Sequence, residues 1–255
     1  MQMRFQVIHI ITAILFRLYG TDTLAFAPNK EYFAESVMFC DAHRECFERG
    51  QSKKMIGYMI GKEYVKLNAL HSITSDIWLN YNALLHQRNT DKADRWIFGE
   101  TLNDSSSHVY RNYIKPMHSE ATRNSVYTSA SQIKPSNSGD DRKPFACGYH
   151  HLRKRNLEIS PERFVLDHTR SFNQIHFVEH ATEGCFGEAC NVSLLECALR
   201  CHLHAMCRSF YFNKKSAACR YTLYIDSLMS MSDWVNNGKH WLRFIRPMWN
   251  SISGE

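Results

Sequence analysis

The sequence predicts an α+β protein made of two units with unlike architectures. Three observations predict it. Helical periodicity early in the chain gives way to short strand-like runs, an order that segregates helices from strands. The nine cysteines are unevenly spread: Cys40 and Cys46 stand early, Cys147 follows a long gap, and six crowd between Cys185 and Cys219. In that crowded stretch, a helical segment with two cysteines precedes a strand–turn–strand with two more.

The amino terminus comes first. Met1–Arg4 is basic, Val7–Phe16 is apolar, and small residues follow at Gly20, Ala25 and Ala27. This is the charge–apolar–small order of a secretory signal peptide, assigned to residues 1–25. The apolar run is shorter than the roughly 20 residues that cross a bilayer, and no later segment is apolar enough to cross one. The expectation is therefore a secreted, extracellular protein that does not span a membrane. Thiols in that compartment oxidise in pairs, and an odd total leaves at least one cysteine free or shared between chains. Asn103-Asp104-Ser105 and Asn191-Val192-Ser193 are acceptor triplets for glycans. A composition 44% hydrophobic and 13% aromatic can fold around a core, and the net charge of +6 favours acidic partners such as sulfated glycans. No nucleic-acid-binding motif is present.

In the first unit, residues 31–149, Ser36–Gly50 has helical character and stops at a glycine. Glu63–Ile73 repeats the helical pattern. Asp76–Asn82 and Arg95–Phe98 read as strands, and the Ser-, Asn- and Gly-rich run Ser129–Asp141 as a long loop. The join falls near Gly148–Arg163, with residues 150–170 as a basic linker. Its centre, His150 to Arg155, reads as solvated chain, or as a glycan-binding patch on Arg153, Lys154 and Arg155.

In the second unit, residues 171–247, His176–His180 reads as the first strand. Ser193-Leu194-Leu195-Glu196 is a capping box that starts a helix running to about His204. Leu194, Cys197, Ala198 and Cys201 share its apolar face. Arg208–Asn213 and Ala218–Ile225 read as paired strands about a turn at Lys214–Ser216. Cys185 and Cys190 either bridge each other or reach elsewhere. Asn237-Gly238 suits a hairpin turn, with Trp234, Trp241 and Phe244 as core bulk. His202 and His204 are expected at the surface; the cysteine spacings do not match the C-x2-C pairs of zinc sites.

The stretch Leu195-Glu196-Cys197-Ala198, Cys201, Cys207-Arg208-Ser209-Phe210-Tyr211-Phe212-Asn213 and Cys219 resembles the PAN/apple family. That resemblance implies Cys197–Cys219 and Cys201–Cys207 bridges around a helix packed on an antiparallel sheet. Loops of those lengths stabilise by about 3 and about 2 kcal/mol on the chain-entropy model. The first unit is similar to the C-type lectin-like family in Asp41-Ala42 through Cys46, Trp78-Leu79-Asn80-Tyr81-Asn82, Trp96-Ile97-Phe98 and Phe145-Ala146-Cys147. That resemblance implies a Cys46–Cys147 bridge and a mixed α/β fold. Three departures stand out. Ser125 replaces an inner cysteine, Lys115-Pro116-Met117 stands where the calcium-binding triplet belongs, and Gly139-Asp140-Asp141 lacks its tryptophan. A lysine repels a cation that needs oxygen ligands, so calcium is disfavoured and no cofactor is expected. Cys40 is left with three fates: a link between two chains, a bond to Cys185 or Cys190, or a buried thiol.

No G-x-S-x-G, H-E-x-x-H or phosphate-binding glycine loop occurs. The reading is a secreted, non-enzymatic recognition or adhesion protein that binds a protein or carbohydrate ligand without calcium. The alternatives are a calcium-dependent lectin and a glycosaminoglycan binder using the basic linker.

Overall fold

The computed structural model describes residues 30–64, 75–84, 97–99, 124–127, 133–136, 141–151, 163–167, 184–229 and 240–246. Among them the chain forms two helices, three antiparallel sheets and four disulfides, a mixed α/β architecture. The signal segment, most of the expected Glu63–Ile73 helix, the His176–His180 strand, Asn103, Lys115–Met117, Arg153–Arg155, Trp234 and the Asn237-Gly238 turn lie outside the described residues.

The chain opens with β1 (Lys30–Val37), followed by α1 (Phe39–Ser52) and β2 (Met55–Met59). Ser36 and Val37 thus belong to a strand rather than to the expected helix start. Val37 pairs with Lys143 on β7 (Lys143–His151), and this pairing holds the backbone extended to the edge of the helix. β7 lies between β1 and β2. Gly50 is part of α1 rather than its stop. An added Cβ there would lie 2.1 Å from the Gly57 nitrogen on β2, so the residue is a point of close approach.

A second sheet orders β4 (Ile97–Phe98), β3 (Ile77–Asn82), β5 (Asn124–Tyr127) and β6 (Ile133–Pro135). β6 interrupts the expected Ser129–Asp141 loop because its backbone completes the ladder along β5. Trp78 of β3 is buried, donates to the Val37 carbonyl at 2.8 Å and meets the Phe39 ring edge-on.

The third sheet runs β8 (Val165–Leu166), β12 (Trp241–Ile245), β10 (Cys207–Asn213), β11 (Ala218–Leu223) and β9 (Phe186–Ala189). The expected linker is partly built into sheets. His150 and His151 close β7, while Val165 and Leu166 pair with Ile245 and Phe244. In the β10–β11 hairpin the Asn213 side chain accepts from the Lys215 and Ser216 amides, which fixes the turn. α2 (Leu194–Leu203) packs on this hairpin over Cys197, Cys201, Cys207, Phe210, Phe212 and Cys219.

The bonds are Cys40–Cys185, Cys46–Cys147, Cys197–Cys219 and Cys201–Cys207. Two expectations are corrected. Cys190 is an exposed free thiol rather than a bridged cysteine, because its neighbour Cys185 is buried against α1 and bonded to Cys40. For the same reason Cys40 is not available to link two chains.

The two halves share one core. Phe39, Ala42, Cys46, Trp78, Phe145 and Cys147 pack in a single buried cluster with Cys185, Met206, Tyr224 and Ile225. Backbone bonds cross the same boundary, from the Leu228 amide to the Leu84 carbonyl. Arg208 reaches over to donate to the Gly99 carbonyl.

Candidate functional site

The junction between the halves is rich in titratable side chains. His43 on α1 is fully buried, stacked on Tyr224 at 5.7 Å and set edge-on to Phe39. Burial, with the Arg208 guanidinium nearby, pulls its pKa down to about 3, so the ring is neutral at physiological pH. Among the described residues its Nε2 has no hydrogen-bond partner. His204, expected at the surface, is instead half-buried against Phe47 and Tyr224, and accepts from the Met206 amide. Burial and then Arg246 lower its pKa as well. Tyr224 sits in the left-handed region at φ 67°, a costly conformation for an aromatic residue that the surrounding rings hold in place. His43 and Tyr224 are buried in the junction, while His204 keeps part of its surface at the edge.

A second polar cluster lies in the third sheet. Arg243 is buried between Asp167 and Asp226. Burial alone would depress its guanidinium, but Asp226, Tyr211 and Asp167 outweigh that and hold it above its ordinary value. The Ser209 hydroxyl meets both Asp226 and Thr222. Ser209 is fully buried and its bonded carboxylate is committed to Arg243, so the hydroxyl has neither a base nor access to act as a nucleophile. Among the described residues no group of three or more His, Cys, Asp or Glu is placed to hold a metal ion. Asp141 accepts from Ser136 and pairs with Lys143.

The basic run is described only at its start, where His150 stacks on Tyr58 at 4.6 Å. Burial lowers its pKa, against the pull of Glu63. Asn191 is exposed, with φ 56°, two residues before the Ser193 cap of α2.

The surface feature that stands out is the outer face of α2. Ser193 caps the helix by accepting from the Glu196 amide, and Cys197 and Cys201 tie its inner face to the hairpin. That fixes what points outward. Leu195 is 79% exposed, Leu199 49% and Leu203 73%. Spaced by four residues, they form one stripe along a rigid helix. Glu196 and Arg200 lie on one flank, bonded at 2.9 Å. The sequence carries this signal too. Leucines on the face opposite the cysteines give the helix a second apolar face, set between the polar residues Glu196, Arg200 and His202.

No protein-family model matches the chain. No curated protein matches it in sequence. Among solved structures it is similar to the trimeric structure of the Kupffer cell C-type lectin receptor Clec4f, at 10% identity and a TM-score of 0.36, over 58% of this chain and 96% of that one.

Proposed function

We propose that the protein is an extracellular recognition module whose second half is an apple-like domain, and that it binds a protein ligand by surface complementarity. The observation that carries this is the leucine face of α2, held outward by two disulfides and a helix cap. A fully exposed leucine gains about 1.5–3 kcal/mol when a partner covers it, and half-buried Leu199 correspondingly less, which still favours occupation over exposure to water. An aliphatic stripe suits a protein surface. A carbohydrate would need stacking rings and convergent polar groups, neither of which lines this face. Four bridges fit an oxidising compartment, where they persist.

The test is an array of extracellular protein domains and glycans, probed with the full chain in calcium and in chelator. The expected result is a protein ligand, retained in chelator and lost in a Leu195→Glu/Leu203→Glu variant. Binding confined to glycans and abolished by chelator would overturn the reading in favour of a calcium-dependent lectin. Glycan retention that disappears in moderate salt would point to the Arg153, Lys154 and Arg155 run instead.

A further inference from the structure

The chemistry of the α2 face also specifies an occupant. Resting on the reading of that face as a docking surface, we infer that it pairs with the same face on a second copy of this chain. The two helices would lie antiparallel about a two-fold axis at Leu199.

The stripe is symmetric about its middle residue. With Leu199 on the axis, Leu199 meets the partner's Leu199 and Leu195 meets the partner's Leu203. Every step of the contact is apolar when the helix is read in either direction, as an isologous interface requires. The charges obey the same symmetry. Glu196 lies three residues before the axis and Arg200 one residue after it, on the same flank of the helix. In the antiparallel pair Glu196 therefore lies two residues along the axis from the partner's Arg200. At about 1.5 Å of rise per residue that offset is about 3 Å, well within side-chain reach. The two exposed Glu196–Arg200 pairs, one joined at 2.9 Å within each chain, exchange for two pairs across the interface. A parallel arrangement would set the Glu196–Arg200 flank against the partner's opposite flank, which carries His202 and Ala198, and would form neither pair. Charge complementarity thus selects the second copy and its direction together. On the other flank the stripe is bordered by exposed His202, with half-exposed Ala198 beyond it.

A single ten-residue helix offers less than the roughly 800 Å² per partner of a standard stable interface, so the pairing is reversible and concentration-dependent. Cys190 lies on the amino-terminal side of α2. The antiparallel pair sends the two Cys190 thiols to opposite ends, so the dimer does not depend on bridging them.

The experiment uses the full oxidised chain carrying Cys190→Ser, by sedimentation velocity over a wide range of concentration. A reversible monomer–dimer equilibrium is expected. Leu199→Glu, which sets two carboxylates face to face on the axis, should weaken it at least tenfold. Glu196→Arg and Arg200→Glu should each weaken self-association when alone, and an equimolar mixture of the two should recover a dimer. A role for these side chains only within one chain predicts no gain on mixing. Leu199→Cys should form a disulfide dimer across the axis under mild oxidation. A strictly monomeric chain at all concentrations would overturn the self-pairing. If Leu199→Glu still abolished binding on the protein array in that case, the docking-face reading would survive with a different partner. Dimers that persist in Leu199→Glu, or a mixture no tighter than its components, would overturn this geometry.

Discussion

Arg243 shows how much of this protein depends on single buried contacts. Its guanidinium neutralises Asp167 on one side and Asp226 on the other, and Asp226 in turn accepts from Ser209. Arg243→Met would leave two carboxylates buried without their counter-ion. The expected loss is about 3–5 kcal/mol, read as a lower urea midpoint with disulfides intact. Asp167 lies 76 residues and Asp226 17 residues from Arg243 in sequence, and local periodicity carries no trace of such pairs. His43 gives a second prediction. Its folded pKa is about 3 and its unfolded value about 6.5, so the unfolded chain binds the extra proton between those values. Stability is therefore flat above about pH 6.5 with respect to this group. Below that, it falls by about 1.4 kcal/mol per pH unit as acid protonates the opened form. His204, shifted in the same direction, steepens the upper part of the decline. Urea titrations from pH 7.5 to 4 check this, and His43→Phe, which retains a ring against Tyr224, should flatten the slope.

Local chemistry writes the elements more openly. The Ser193–Glu196 box specifies where α2 begins, and the Ser193 side chain caps that helix. Ser193→Ala should cost about 1 kcal/mol of stability, measured by thermal unfolding. The β10–β11 hairpin was legible from its strand–turn–strand residues, and the structure ends the second strand at Leu223 rather than Ile225. Elements whose existence depends on a neighbour were not legible. β6 reads as loop because its Ser- and Asn-rich surroundings hide three residues that pair only once β5 is in place. The start of α1 was misplaced because β7, more than a hundred residues away, claims Val37. His43 and Phe47 reveal a wider buried stripe on α1 than one sheet needs. That stripe is the one local hint of the surface that the second half covers.

The whole molecule is held together by features of long sequence separation. Cys40–Cys185 closes a separation of 145 residues and fastens α1 to the strand entering the third sheet. A double Cys40→Ser/Cys185→Ser variant should lose about 2–5 kcal/mol. Hydrogen exchange should show the junction amides of Tyr224 and Leu228 opening before the rest of the third sheet. Exchange that stays uniform would mean that packing alone suffices. The shared core was invisible in the sequence because cysteine order admits many pairings and only the folded chain brings Cys185 to α1.

The Cys40–Cys185 bond also determines how the protein would carry load. Tension applied from either side of these two residues passes directly through the sulfurs and bypasses the chain between them. The chain between them then lies outside the line of force, while β1 before Cys40 and the strands of the third sheet after Cys185 bear the pull. Reduction of that one bond would release roughly 150 Å of hidden contour, at about 3.3–3.6 Å per residue over the 145-residue separation less the 101 residues that the nested Cys46–Cys147 bond still closes. A tether built this way stays short in an oxidising setting and lengthens abruptly when thiols are restored.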